Sequence, residues 1–117
     1  VSISNLNIQD FTEGLRLSGK NTTLRDISIS NSSQYNLFFD FLEGHDIDTS
    51  VKLDGKSVYY LKGETNKEYN ATHDSGLFAC FDCNNVTLKD ANISKVSHVI
   101  ALVRTSDSKI KTVAIDP

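Results

Sequence analysis

Six residues, Leu24-Arg-Asp-Ile-Ser-Ile29, set a pattern that the chain uses four times: apolar, any residue, a small polar residue, apolar, any residue, isoleucine. The other copies are Ile3-Ser-Asn-Leu-Asn-Ile8, Leu88-Lys-Asp-Ala-Asn-Ile93 and Ile110-Lys-Thr-Val-Ala-Ile115. The first two begin 21 residues apart and the last two 22 apart, and the gap of 64 between the inner pair is close to three periods. A fixed period in this range signals stacked supersecondary units, each of which buries its apolar face only against its neighbours.

Each copy has strand spacing. Leu6 and Ile8, Ile27 and Ile29, Ala91 and Ile93, and Val113 and Ile115 lie two apart, which places both side chains on one face of a strand. The third position of the motif, Asn5, Asp26, Asp90 or Thr112, interrupts the alternation. Asn and Asp tolerate the left-handed backbone of a tight bend, so a corner is expected there. A second strand precedes each motif, marked by Leu15 and Leu17, Ala79 and Phe81, and Ala101 and Val103. Polar corners such as Ser18-Gly-Lys-Asn21, Asp82-Cys-Asn-Asn85 and Thr105-Ser-Asp-Ser108 separate the strands. No window sustains a 3.6-residue period, which disfavours helical and leucine-rich repeats. The expected fold is all-β: a right-handed parallel β-helix, a solenoid of about four to five coils stacked at about 4.8 Å per strand.

At 117 residues the chain is expected to form one domain, residues 1–117, with coils over 1–45 and 76–117 and an insertion over 45–75. Within the first block, 1–21 and 22–45 are consecutive coils. In the second, 76–108 forms one coil and 109–117 begins another. A net charge of −3 argues against a dedicated nucleic-acid partner. No apolar run reaches membrane-spanning length and no signal peptide is visible. The start at Val1, inside a repeat, reads either as removal of a leader or as a segment of something longer. The run Tyr35-Asn-Leu-Phe-Phe-Asp-Phe-Leu42 is read as core, with an exposed ligand-stacking platform as the alternative.

Residues 45–75 break the period. Asp54-Gly55, between Val51 and Leu53 on one side and Val58 and Tyr60 on the other, is a strong hairpin signal. Lys62 to Ser75 is polar and is expected to continue as an irregular loop. The insertion is expected to lie over the side of the solenoid, with Tyr59 or Tyr60 packed against it. Here His45-Asp-Ile-Asp-Thr-Ser-Val-Lys-Leu-Asp-Gly-Lys-Ser-Val-Tyr-Tyr-Leu61, followed by Gly76-Leu-Phe-Ala-Cys-Phe-Asp-Cys-Asn-Asn-Val-Thr-Leu88, resembles the NosD-type parallel β-helix repeats of archaeal cell-surface proteins. In that family an Asp/Asn-Gly-Lys-Pro-(apolar)-Tyr-Tyr hairpin precedes a coil reading Cys-Asn-Asn-(apolar)-Thr-(apolar). This chain has Ser57 where the family usually has proline. The resemblance covers most of the chain. It implies the β-helix fold and a place in a methanogen surface layer or adhesin-like protein, and it says little about activity.

Five N-glycosylation sequons begin at Asn21, Asn31, Asn70, Asn85 and Asn92. They point to a glycosylated surface outside the cytoplasm, although solenoid corners are rich in Asn, Ser and Thr in any case. Asn21, Asn31 and Asn85 fall at expected corners. Cys80-Phe-Asp-Cys83 is a C-x-x-C at a strand end, without the helix N-terminus that activates a thioredoxin-like thiolate. Two sulfurs alone do not close a zinc site. Residues three apart in an extended strand sit near 10 Å, too far for a disulfide unless the corner folds them together. Free thiols at the corner are therefore expected, with a disulfide to another chain left open. His45, His73 and His98 have no partners at ligand spacing, so neither copper nor any other cofactor is expected.

Arg25, Lys89 and Lys111 share one repeat position next to the corner, and Arg16 projects from the strand before it. A charge-balanced solvated face is one reading, and an acidic-sugar site using Arg16, Arg25 and Lys89 is the other. No paired carboxylates repeat on one strand face and no Gly-x-Ser-x-Gly elbow occurs, so the chain is not expected to be an enzyme. The expected role is a structural module of an extracellular assembly, a surface layer, sheath, filament or adhesin. It would associate with itself or with flanking repeats by strand-edge stacking, with glycans on the outer corners. The alternative is a carbohydrate-binding or polysaccharide-degrading β-helix, and a weaker one is a trimeric viral tail-spike segment.

Overall fold

The turn at Asp54-Gly55 divides the molecule. In the computed structural model, residues 1–70, 75–90, 92–94, 100–111 and 114–116 are described, and they form an all-β solenoid of about 5 turns matching a parallel β-helix. Before the turn lie β1 (Ser2–Gln9), β2 (Glu13–Leu17), β3 (Thr23–Ser30), β4 (Tyr35–Phe39), β5 (Asp46–Ile47) and β6 (Lys52–Leu53). After it lie β7 (Lys56–Lys62), β8 (Thr65–Asn70), β9 (Ser75–Phe81), β10 (Asn84–Lys89), β11 (Asn92–Ser94), β12 (Ile100–Val103), β13 (Lys109–Lys111) and β14 (Ala114–Asp116).

The repeated motifs stack as their period demands. Ile3 pairs with Leu24, Leu6 with Ile27 and Ile8 with Ile29. Leu88 pairs with Ile110 and Ile93 with Ile115. A long sheet runs β1-β3-β6-β7-β9-β12, with β5 also pairing β3; smaller sheets are β2-β4, β8-β10-β13 and β11-β14. Among the described strands every pairing is parallel except β6 with β7.

Left-handed residues make the corners. Twelve described non-glycine residues have positive φ, and all but Arg104 are Asn or Asp, including the motif residues Asn5, Asp26 and Asp90. Other side chains lose about 1–2 kcal/mol in this conformation, which is why Asx residues hold the bends. Thr112 lies outside the described residues. The corners sit on one another. Asn31 donates its amide N–H to Asp54 Oδ1 at 2.9 Å and its side-chain Nδ2–H to Asp10 Oδ1 at 2.6 Å. Two of the bends also turn residues on both sides inward: Leu24 and Ile27 about Asp26, Cys80 and Cys83 about Asp82, all buried.

The single antiparallel pairing changes which face of the long sheet is the inside. Val58 donates its N–H to the Val51 carbonyl at 3.0 Å, and both side chains are buried. Alternation along β7 then sends Val58 and Tyr60 to the face shared with Val51, Leu53 and Ile29. Tyr59 and Leu61 go to the opposite face, where the Tyr59 ring meets Tyr69 and Phe78. The first unit therefore winds on one face of the sheet and the second on the other. With strand direction reversed, changing face keeps the same hand of winding, as the crossover rule for parallel strands requires.

Three expectations are corrected here. The described part of the expected insertion is not a side insertion: β5 and β6 continue the first stack, and β7 pairs with β9 within the second, while 71–74 lie outside the described residues. Lys62 to Ser75 is not wholly a loop, because Thr65–Asn70 is β8, a rung pairing with β10. The polar sequence Thr-Asn-Lys-Glu-Tyr-Asn hid it, since β8 is the outermost rung of its sheet and only Tyr69 needs to turn inward. The last coils divide earlier than expected, β9 to β11 making one and β12 to β14 the next. Ala79 and Phe81 do mark a strand, yet β9 is buried on both faces: Phe78 and Cys80 fill the second core while Leu77, Ala79 and Phe81 are covered from the side of the first unit.

Candidate functional site

Two regions carry the features on which function could rest: the seam between the units and the two ends of the stack. At the seam the loop after β4 folds over the outer face of β7 and β9. Tyr60 Oη donates to the Leu42 carbonyl at 2.5 Å and accepts the His45 N–H at 3.2 Å. Its ring lies 5.0 Å from Phe81 and 6.3 Å from Phe39. Burial pushes the Tyr60 hydroxyl pKa up. His45 is held through both ring nitrogens, Nε2–H donating to Phe41 O at 2.7 Å and Nδ1 accepting from Thr22 N–H at 3.4 Å. A cleft of about 290 Å³ remains beside these groups, lined by Glu43, His45, Asp46, Tyr60, Lys62 and Phe81 among others.

Arg104 closes the seam from outside. It donates from Nε to Asp82 Oδ1 at 2.6 Å and grips both carboxylate oxygens of Glu43, through Nη1 to Oε1 at 3.2 Å and through Nη2 to Oε2. Hydrogen bonds from Arg104 hold the Glu43 and Asp82 carboxyls below their usual range. This is the one left-handed corner occupied by neither Asx nor glycine among the described residues, and nothing in the repeat marked it.

The basic residues singled out from the sequence do not converge. Arg16 lies on β2, ion-paired with Asp40 at 3.0 Å and stacked 4.4 Å over the Phe38 ring. Arg25 lies on β3 against Asp46 at 2.8 Å and Asp48 at 3.0 Å. Lys89 lies on β10 against Glu68 at 3.0 Å. They occupy three different sheets, and each meets a carboxylate from the adjacent coil. The aromatic run divides likewise: Phe39 is core, Phe38 packs edge-on against Tyr35, and Phe41 is exposed under Lys20.

Cys80 and Cys83 form a disulfide, which corrects the expectation of free thiols. The reason is the left-handed Asp82 between them, which brings their Cα atoms to 6.0 Å, within bonding range. Of the sequon residues, Asn21, Asn31 and Asn85 are exposed at left-handed corners and Asn70 is exposed on β8. Asn31 and Asn85 each donate a side-chain N–H to the preceding coil, to Asp10 at 2.6 Å and to Asn66 at 2.8 Å. Asn92 lies on β11; His73 and His98 lie outside the described residues. Among the described residues no group of three His, Cys, Asp or Glu is placed to hold a metal, and no helix is long and apolar enough to cross a membrane.

At the ends of the stack the inward row is uncovered. Leu6 on β1 is 43% exposed, Leu102 on β12 38% and Ile110 on β13 45%, whereas Ile27, Cys80 and Leu88, their partners one coil inward, are 0–1% exposed. β1 and β12 are the outermost strands of the long sheet, so each carries an edge of unpaired backbone groups among the described residues. Comparison with protein-family models, with curated proteins and with solved structures finds no match to this chain.

Proposed function

We propose that this chain is a non-catalytic structural module of an assembly outside the cytoplasm, such as a surface layer, sheath or filament, and that it works by pairing its terminal strands with neighbouring modules. The observation that carries the reading is the pair of open ends, where Leu6, Leu102 and Ile110 lie exposed in rows that are otherwise buried. A flat edge strand above an uncovered apolar row is a template for another strand. Two further features support the location. A buried disulfide persists in oxidising compartments, and the exposed corner sequons suit a glycosylated surface of the kind the NosD-type resemblance implies.

The carbohydrate-binding reading draws on the cleft beside Tyr60 and the exposed Phe11 and Phe41. It is the weaker reading, because Arg16, Arg25 and Lys89 face different sheets and are each bound to carboxylates. Light scattering and electron microscopy of the protein with its natural flanking sequence test the proposal. Concentration-dependent oligomers or filaments are expected. Dispersed monomers at every concentration, or a glycan array with strong hits on such monomers, would overturn it.

A further inference from the structure

The cleft at the seam exists because of the hairpin. β5 pairs with β3, and β7 joins the first stack only through β6, at Lys52 and Leu53. Beyond that point β5 and β7 are not paired, and a space of about 290 Å³ remains between them. Its base is Ile47 and Phe81, both almost fully buried, with the half-buried Tyr60 ring beside them. Glu43 and Asp46 line it from the first unit, and Lys62 lines it from β7.

The charges around this space are unequally committed. Arg104 holds both oxygens of Glu43, and Arg25 Nη2 donates to Asp46 Oδ1 at 2.8 Å. Asp46 Oδ2 and Lys62 Nζ make no hydrogen bond or ion pair among the described residues. One acceptor and one donor therefore flank the same space with nothing bound to them. A cationic ligand would find each carboxylate already facing a guanidinium, and would meet the Lys62 ammonium as well. An anionic one would meet two carboxylates beside that single ammonium. The lining suits an uncharged ring whose hydroxyls both donate and accept, with a C–H face to set against Tyr60. Pockets for drug-sized molecules begin at roughly 300 Å³, so this one takes a single ring rather than a chain of them.

We propose that the cleft binds one uncharged pyranose. Lys62 Nζ donates to one hydroxyl, a second hydroxyl donates to Asp46 Oδ2, and the Tyr60 ring lies against the sugar's C–H groups. The inference rests on the carbohydrate reading above and moves it from Arg16, Arg25 and Lys89 to the seam. It uses no terminal strand, so it stands whether or not modules associate.

Nuclear magnetic resonance titration of the full chain with the methyl pyranosides of glucose, mannose and galactose tests this. Millimolar binding is expected for so small a ligand, with shifts confined to residues around His45, Tyr60 and Phe81. Lys62→Ala removes only an exposed, unpaired side chain, so it should stay folded and bind about tenfold more weakly. Glucuronate and glucosamine should bind less well than the best of the neutral rings. Equal binding by Lys62→Ala, or tighter binding of either charged sugar, would overturn the site as drawn. Shifts that map instead to Phe11 or Phe41 would overturn the cleft and leave the carbohydrate reading standing. No shifts with any of these sugars would overturn both.

Discussion

Arg104 and Glu43, 61 residues apart in sequence, are joined by a two-pronged ion pair that ties the second unit to the loop closing the first. The pair sits at the surface, so its contribution is screened by salt. Its effect on pH dependence has a definite sign. Glu43 and Asp82 are held below their ordinary values of 4.5 and 3.8. Groups depressed in the folded state add stability above their unfolded pKa and lose it as pH falls through the folded one. Thermal stability should therefore decline below about pH 4. Arg104→Ala should flatten that acid limb and reduce its salt dependence, as followed by circular dichroism. An unchanged acid limb would remove this pair from the account of acid stability.

Tyr60→Phe tests the seam without changing the ring stacking. The hydroxyl both donates to Leu42 O and accepts from His45 N–H. Removing one partner of a half-buried bond costs about 1–3 kcal/mol. Urea denaturation should show a loss of that size with an unchanged slope. A loss below a few tenths of a kcal/mol would mean that water satisfies both groups equally well.

The Cys80–Cys83 bond closes a short loop with a sequence separation of 3. Chain entropy for a loop this small gives about 2 kcal/mol. Cys80→Ala/Cys83→Ala should lose roughly that and remain folded. Because both cysteines are buried, an alkylating reagent with reductant should label the unsubstituted protein only once it unfolds. Rapid labelling under native conditions would contradict the burial.

Glycan occupancy should follow the corner hydrogen bonds. Asn31 and Asn85 commit a side-chain N–H to the coil alongside, whereas the Asn21 side chain makes no hydrogen bond among the described residues. Expressed in a glycosylating host, the chain should carry more glycan at Asn21 than at Asn31 or Asn85 by glycopeptide mass spectrometry. Equal occupancy at the three would mean that modification precedes formation of the stack.

Much of this architecture is written in local pattern. Ile8 over Ile29 and Leu88 over Ile110 follow from the period, and Asn5, Asp26 and Asp90 bend because few other side chains accept that backbone. The Asp54-Gly55 hairpin was equally visible. What it does to the solenoid was not, because two apolar faces on β7 look alike in sequence whichever one is inside. The disulfide was missed for a related reason: the Cys80 to Cys83 distance depends on the φ of Asp82, 56° here, and not on spacing. Arg104 carries no sequence mark at all, since its partner Glu43 lies three coils away and its bend is one that arginine rarely takes. Gly14 is a milder case. A Cβ there would come within 2.3 Å of Ile29 Cγ2 and 2.7 Å of Asn36 O, a crowding only the neighbouring coil creates.

The antiparallel turn at Asp54-Gly55 also bears on how the chain reaches its native state. A hairpin closes over a few residues, far sooner than any parallel rung with its 18- to 24-residue return. Placed mid-chain, it offers a nucleus from which ordering can spread toward both termini at once, halving the distance a single growing front would have to travel.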